Sequence, residues 1–405
     1  MKKSSLVFIF PLLILLLASC RNKDADYIDP RGTDYAGAES CIQCHQDVSH
    51  DAAQNAHFKA SSLALPENVL GNFRSGKNTF HYDKDTKLVM EKRGDSLYQV
   101  LYKNGKELRA YKYDIVFGIK NAQTFAYWHE KRAYELPVSY YKSANDWGTS
   151  PSFSATVPNF NREIVKDCYS CHSSNAGSAI VKTSSTQRDV STMFMDTDDA
   201  VRKETIVYGI DCERCHGPAK KHVQTHRKFP DLKIAQDIVT FKSLTNQQKL
   251  DMCSICHSGN DSRSKMQSRF NFKPGDKFSD YYRKNPIGNN GEIDVHGNQN
   301  GLLAQSQCFV KSETLNCTTC HSPHQKTKPT LASYSQACIS CHKTANHSEA
   351  TIRNTPQTIL KSNCIDCHMP KQTSKAITFQ RSGDQKLSGY FLRTHRIAIY
   401  PDKKQ

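Results

Sequence analysis

The sequence has few apolar residues for its length. Of its 405 residues, 37% are hydrophobic, 9% are aromatic and two are tryptophan. After residue 20 no apolar run approaches the roughly 20 residues that a membrane-spanning helix needs. A chain of this composition buries too little apolar surface to offset the entropy lost on folding, unless something besides side chains contributes to the core. We therefore expect a core that side chains alone do not fill, and no transmembrane helix after Cys20.

The chain is rich in cysteine instead, and most of its 16 cysteines follow one pattern. CxxCH occurs seven times. Two cysteines three residues apart lie on one side of a helical turn and can form thioethers to the two vinyl groups of haem. The adjacent histidine then becomes an axial ligand of the iron. Zinc ribbons and redox dithiols also use CxxC but do not require a histidine directly after it. The sequence therefore predicts seven covalently bound c-type haems.

The predicted thioether residues are Cys41, Cys44, Cys168, Cys171, Cys212, Cys215, Cys253, Cys256, Cys317, Cys320, Cys338, Cys341, Cys364 and Cys367. The predicted proximal iron ligands are His45, His172, His216, His257, His321, His342 and His368.

Ten further histidines remain as candidates for the opposite face of each iron. With ten candidates for seven sites, ligation by two histidines at every iron is possible, and such ligation gives lower potentials than methionine with histidine. Met369 directly follows a proximal histidine and cannot reach around to the same iron, so we expect it to serve in packing.

The N-terminus has the pattern of an export signal. Lys2 and Lys3 precede an apolar segment from Leu6 to Leu17, which is too short to span a membrane comfortably. The segment ends in Leu-Ala-Ser-Cys, which resembles a bacterial lipoprotein signal and predicts lipidation of Cys20. The alternative is an ordinary secretory signal that leaves Cys20 in the mature chain. Arg21 follows, with no Asp to suggest inner-membrane retention, so we expect an outer-membrane anchor with a periplasmic or surface-facing protein.

The formal charge of +16 would ordinarily suggest nucleic acid or an anionic membrane as a partner. Haem propionates change that interpretation, because seven haems subtract roughly seven charges when oxidised and roughly fourteen when reduced. The excess Lys and Arg is then compensation for propionates, and no nucleic-acid partner is expected. The expected partners are redox proteins, either of the quinol oxidase type or other cytochromes, together with the membrane that holds the lipid.

The sequence divides into a signal peptide (1–19), a lipidated tether (20–36), a first haem segment (37–60), a haem-free β-rich insertion (61–160) and a six-haem array (161–405). In the insertion, β-rich runs at 87–90, 97–102 and 108–117 flank turns, among them Asn104-Gly105, and predict a small antiparallel meander. Thr245 is the predicted N-cap of a helix that enters Cys253. The predicted fold is mostly α and irregular, wrapped around a haem array, with this small β insertion.

Four stretches resemble multihaem cytochromes related to the tetrahaem cytochrome of ammonia oxidation, the pentahaem nitrite reductases and hydroxylamine oxidoreductase. They are Ser40–His45 with the later Ala56-His57, Gly209–Pro218 with His222-Val223, Leu315–His324, and Cys364–Pro370 with Thr394–Ile397. The resemblance covers about residues 37 to 400. It implies His57, His222, His296, His324 and His395 as distal ligands, followed by His129 and His347. It leaves His50, His81 and His226 as structural or solvated residues.

Close packing of the motifs favours an electron-transfer protein over an enzyme. The alternative is an oxidoreductase with one open haem, acting on a small nitrogen or sulfur oxyanion or on peroxide. The nitrite reductases bind substrate at a haem whose motif ends in Lys, and no CxxCK occurs here. A third possibility is a haem-stabilised scaffold in a larger membrane complex. Cys308 belongs to no motif and is expected to be a buried free thiol; the alternative is a reactive or intermolecular thiol.

Overall fold

The computed structural model describes residues 28–177, 201–259, 262–264, 268–284, 293–325 and 330–400. The predicted signal peptide and Cys20 lie outside the described residues. Among the helices that are described, none combines the length and apolarity required to cross a membrane.

A four-stranded antiparallel sheet confirms the predicted meander. Its strands, in spatial order, are β2 (Thr79–His81), β3 (Thr86–Arg93), β4 (Ser96–Lys103) and β5 (Lys106–Lys112). The turn between β4 and β5 is Asn104-Gly105, and both residues have positive φ, at 50° and 75°. Two consecutive residues of positive φ match the right-handed twist of the strands they join, which explains why this dipeptide closes the hairpin.

A second antiparallel sheet, formed by strands on both sides of the first in the chain, was not predicted. Its order is β1-β6-β7-β9-β10, and β8 pairs with β7. The bounds are β1 (Ser61–Leu63), β6 (Ile115–Phe117), β7 (Ala122–His129), β8 (Arg132–Glu135), β9 (Val138–Tyr141) and β10 (Asp146–Thr149). Aromatic side chains fill the space between the two sheets: the ring of Tyr113 stacks on Phe125 at 4.4 Å, and Trp147 contacts Phe125 at 6.0 Å.

The segments that carry the CxxCH motifs are short helices joined by loops and small hairpins. The helices are α1 (Ala38–Ile42), α2 (Gln46–Ala52), α3 (Lys166–Tyr169), α4 (Cys212–His216), α5 (Lys220–Lys228), α6 (Asn246–His257), α7 (Gln299–Ala304), α8 (Gln307–Val310), α9 (Leu331–Cys341), α10 (Glu349–Asn354), α11 (Gln357–Ser362) and α12 (Cys364–His368). The hairpins pair β11 (Ser173–Asn175) with β12 (Val207–Tyr208), β13 (Ser262–Ser264) with β14 (Tyr282–Lys284), and β15 (Lys371–Phe379) with β16 (Ser388–Arg393). Thr245 caps α6 in a capping box with Gln248, as predicted.

The prediction of a mostly helical fold with one small β insertion was wrong. The structure is about 30% helix and 23% strand, with a large β-rich N-terminal region and several antiparallel sheets. The error has a physical cause: the missed strands are short, and their partners are distant in the chain, as in the pairing of β1 with β6. The proposed division into segments at 36, 60 and 160 stays a prediction.

Candidate metal centres

Each CxxCH motif lies on one tight helical turn, which brings its two thiols and its imidazole together. Side-chain caps hold several of these turns. Asp211 accepts a hydrogen bond from the backbone N–H of Arg214 at the start of α4, and Asn363 does so from Asp366 at the start of α12. The Cys317 motif begins on a 3₁₀ turn, Cys317–Thr319, capped by Asn316. All 14 motif cysteines are free thiols, available for thioether bonds.

Five motif histidines have a second histidine facing them. The ring-centroid distances are 6.4 Å for His45–His222, 6.1 Å for His57–His257, 6.0 Å for His216–His324, 6.1 Å for His321–His395 and 6.5 Å for His347–His368. A ring nitrogen lies about 1.1 Å from the imidazole centroid and a metal–nitrogen bond is about 2.0–2.1 Å, so two rings on one ion have centroids about 6.3 Å apart. The donor set and its spacing therefore fit an iron held between two imidazoles.

His296 is a half-buried histidine that lies near His172. Its pKa is lowered mainly by burial, and the nearby imidazole of His172 lowers it further. The edge of the His172 ring also meets Phe117, at a centroid distance of 5.8 Å. The effect of His172 on the pKa of His296 indicates that the two imidazoles are neighbours.

His342 differs from the five motif histidines that face a second histidine, and from His172, which has His296 in its neighbourhood. All 17 histidines of the chain lie in the described residues, and none of their rings faces His342 as His222 faces His45. His342 is exposed, as are the residues that follow it from Lys343 to Asn346. His347, the next histidine along the chain, faces His368 instead.

Backbone carbonyls hold several of these rings in one orientation. Nδ1 of His216 lies 2.9 Å from the carbonyl oxygen of Val239, Nδ1 of His368 lies 3.0 Å from that of Ala398, and Nδ1 of His222 lies 2.7 Å from that of Gln236. A hydrogen bond at Nδ1 fixes the tautomer and leaves Nε2 as the donor to a metal.

Burial keeps His57 and His395 neutral. The pKa of His57 is lowered to about 4 by desolvation and by neighbouring His257, and that of His395 is lowered to about 4 by desolvation and by His321. A neutral imidazole has the lone pair that metal binding requires.

A close backbone contact places His57. Its carbonyl accepts the N–H of Ile210 at 2.8 Å, just before the Cys212 motif. Gly209 has φ +67°, and a Cβ there would meet the carbonyl oxygen of Phe58 at 2.0 Å. Only glycine allows this approach, which brings the segment that carries His57 against the segment of a motif far along the chain.

The rings of the remaining four histidines face no motif histidine in the described structure. His129, predicted as a distal ligand, is exposed on β7 with its ring 6.4 Å from Tyr134. His81 is exposed on β2, and His50 is exposed beside Asp51. His226 lies 4.5 Å from His222, and its buried Nε2 has no hydrogen-bond partner within the described structure.

The motifs form one connected array. The thiol of Cys41 contacts Cys212, that of Cys171 contacts Cys256, that of Cys253 contacts Cys317, and that of Cys338 contacts Cys364. The pKa of Cys253 is raised mainly by its contact with Cys317 and by burial, and nearby Cys215 raises it further. The pKa of Cys338 is raised mainly by burial, and nearby Cys364 and Cys320 raise it further. All seven motifs are thereby linked, and the Cys253 motif has three neighbours. The last five motifs are linked in chain order, but the Cys41 motif contacts the Cys212 motif and the Cys168 motif contacts the Cys253 motif, which motif spacing could not predict.

Two further features around the motifs suit haem. There is open space for a bulky group, and there are buried polar atoms without partners that would suit its propionate carboxylates. An open cleft of about 750 Å³ is lined by Cys320, His321 and Tyr334, among others. The buried Nε atoms of Arg214, inside the Cys212 motif, and of Arg269, which contacts Cys171 of the Cys168 motif, lack hydrogen-bond partners within the described structure. Cys308, on α8, is half-buried and lies near Cys320.

A buried ionic network joins the N-terminal segment to the Cys212 motif. The guanidinium of Arg31 contacts Asp29 at 2.8 Å, Asp211 at 2.8 Å and Glu213 at 2.9 Å, and its side chain is 6% exposed. Glu213, inside the motif, also accepts backbone N–H groups from Ala36 and Gly37, both at 2.9 Å. The segment from Asp29 onward is therefore fixed to the body of the protein.

We expect Arg31→Met to lower the free energy of unfolding by about 3–5 kcal/mol, because three buried carboxylates lose their cation. Denaturant unfolding of the holoprotein, followed by circular dichroism, measures the change. Arg132→Met is the matched control: Arg132 forms an ion pair with Glu163 at 2.7 Å but is 44% exposed, and exposed pairs contribute little. Equal loss of stability in both variants would contradict a special role for the Arg31 network.

Comparison with known proteins agrees with this geometry. A family model described as a doubled CXXCH motif matches residues 310–347, which hold the Cys317 and Cys338 motifs. The chain is a multihaem c-type cytochrome. A solved structure, the crystal structure of outer cell wall cytochrome OcwA, has a similar fold, with a TM-score of 0.52 and 16% identity over 86% of this chain and 79% of that chain. No curated protein matches the cytochrome.

Proposed function

We propose that this cytochrome is an electron-transfer protein that carries seven covalent c-type haems, one on each CxxCH motif. The observation that carries the proposal is the set of five facing histidine pairs, whose spacing suits an iron between two imidazoles. Each haem supplies an iron that changes oxidation state by one electron. The protein's part is to hold two imidazoles on the iron, exclude water and keep neighbouring groups close.

The assignment of distal ligands is also a proposal. His222 serves the Cys41 motif, His57 the Cys253 motif, His324 the Cys212 motif, His395 the Cys317 motif and His347 the Cys364 motif. His296 serves the Cys168 motif. His129 faces no motif histidine in the described structure, so we propose no iron for it.

We expect the pyridine haemochrome assay and the intact mass to give seven haems per chain. A redox titration followed by absorbance is expected to spread over several midpoint potentials. The reason is electrostatic: the motifs are in contact, and each reduction adds a negative charge beside the next group. A titration that fits a single step for all haems would contradict a connected array.

The proposed cellular setting is an exported protein anchored by a lipid on Cys20, in the outer membrane and facing the periplasm or the surface. The signal pattern of residues 1–20 supports it, and the solved structure with a similar fold is itself named an outer cell wall cytochrome.

Redox proteins of the quinol oxidase type or other cytochromes are the proposed partners. A closer relation to the ammonia-oxidation and nitrite-reductase cytochromes stays a prediction. Mass spectrometry of the N-terminal peptide tests the lipid.

His342 supports a second candidate function. With no histidine of the described chain facing it and with an exposed ring, this site has room for a small external ligand. The second candidate is therefore an oxidoreductase that acts on a small nitrogen or sulfur oxyanion, or on peroxide, at the Cys338 motif.

A further inference from the structure

The surface formed by α5 and the loop after it, residues 220–237, is both basic and apolar. It holds five basic and two acidic residues, a formal net charge of +3. It also exposes two large apolar side chains, with Phe229 54% exposed and Ile234 72% exposed. Apolar side chains set among lysines are typical of surfaces that lie on anionic membranes.

At the C-terminal end of α5 and in the loop after it, the lysine side chains of this surface are exposed to solvent. Lys221 forms an ion pair with Asp237 at 2.6 Å, and Arg227 donates to the side chain of Gln43 at 2.8 Å. Lys228 and Lys233 are exposed, and the ammonium of Lys228 lies 5.2 Å from the ring centroid of Phe229. The outermost basic groups are thus those nearest the two exposed apolar side chains.

The N-terminal segment leaves the body of the protein beside this surface. The N–H of Lys220 donates to the carbonyl of Asp34 at 3.0 Å, and Arg31 and Asp29 are fixed in the buried network. Ile28, the first described residue, is 79% exposed. From Cys20 to Asp29 an extended chain covers at most about 30 Å. A lipid on Cys20 would hold Asp29 within that distance of the bilayer, and Asp34, a few residues further on, contacts the first residue of the 220–237 surface.

We propose that the 220–237 surface docks on an anionic phospholipid membrane and thereby orients the array, with the His45–His222 pair nearest the bilayer. The inference rests on the proposed lipid anchor for its location. Because His222 lies on α5, docking brings the Cys41 motif to the membrane side. The contacts between motifs then lead away from the membrane toward the Cys338 and Cys364 motifs, where a soluble partner would bind.

A phospholipid surface accounts for both features of the patch. An acidic protein partner would account for the lysines. It would not account for an N-terminal anchor segment that meets the body of the protein next to the same surface. Lipid head groups attract Lys228 and Lys233, and the interfacial region takes up Phe229 and Ile234.

The test uses the full mature holoprotein with Cys20→Ser, exported behind an ordinary secretory signal, so that no lipid contributes. We expect it to cosediment with phosphatidylglycerol vesicles, less so at high salt, and not with phosphatidylcholine vesicles. The variant K228E/F229S/K233E/I234S should lose about tenfold in vesicle affinity. The matched control K106E/L108S/K112E changes exposed Lys and Leu on β5, where Leu108 is 58% exposed, and should bind as before.

Absorption spectra and unfolding midpoints show that each variant is folded and loaded with haem. Failure to bind phosphatidylglycerol vesicles, or equal loss in the β5 control, would overturn the docking surface. In the native lipidated protein, a photoactivatable phospholipid should label peptides from residues 217–242 more than those from 96–112, and the reverse would also overturn it. The redox titration and the mass of the Cys20 peptide are independent of these outcomes, so a failure of docking is distinguished from a failure of the electron-transfer proposal or of the anchor.

Discussion

Replacing His57 with alanine is expected to convert one low-spin ferric centre of the oxidised protein to high spin. The ring of His57 lies 6.1 Å from that of His257, and burial together with His257 lowers its pKa to about 4. It is therefore a neutral donor facing a motif histidine, and among the described histidines it is the one that faces His257. Low-temperature EPR with spin quantitation should show one additional high-spin iron per protein, out of the seven that the motifs predict.

Two further variants test whether the change to high spin comes from the loss of an iron ligand. His57→Met restores a sixth ligand, so we expect low spin to return with a raised midpoint potential, as methionine ligation favours. His129→Ala removes a histidine that is exposed on β7 and faces no motif ring, and the spectrum should not change. If His129→Ala produced the high-spin signal and His57→Ala did not, the assignment of both residues would be wrong.

The part of the site predicted from sequence is the part encoded by neighbouring residues. A CxxCH turn places its thiols and its imidazole without help from the rest of the fold, so all seven proximal sets could be written down from spacing. The Asn104-Gly105 hairpin and the Thr245 cap are local in the same sense, and both are present. Each of these features is specified by a few neighbouring residues, so it can be predicted without knowledge of the rest of the fold.

The distal pairs depend on contacts between distant segments. His222 faces His45, and His57 faces His257, although each pair is far apart in the chain. Spacing carries no information about such a contact, and the resemblance supplied candidate residues without supplying their partners. His347 was the last choice among the distal candidates, yet it faces His368. The close approach at Gly209 shows how such a contact is made, through one backbone position that only glycine suits.

The extent of β structure was missed for a related reason. Strands β9 and β10 are four residues each and almost entirely buried, so they lack the alternation of apolar and polar residues that marks a half-buried strand. Tyr141 in β9 stacks at 3.8 Å on Phe379 in β15, which belongs to a hairpin near the C-terminus. Aromatic contacts across such distances organise the sheets, and they leave no periodic signal in the sequence.

The oxidised protein is expected to bind one equivalent of cyanide, at the Cys338 motif. His342 is exposed and has no facing histidine in the described chain, whereas five other motif histidines do. A five-coordinate iron binds a small anion without having to lose a protein ligand, so binding should be fast and should remove a high-spin EPR signal that is present before cyanide is added. Absorbance titration at the Soret band gives the stoichiometry.

His347→Ala separates this explanation from a site elsewhere. His347 faces His368 at 6.5 Å, so its removal opens the Cys364 motif, and the stoichiometry should rise from one to two. His129→Ala, the control, should leave it at one. If the unaltered protein shows only low-spin iron and binds no cyanide, a ligand other than histidine completes the His342 site. The oxidoreductase alternative then fails, because every iron of the array would be saturated by protein and only electron transfer would be left for it to do.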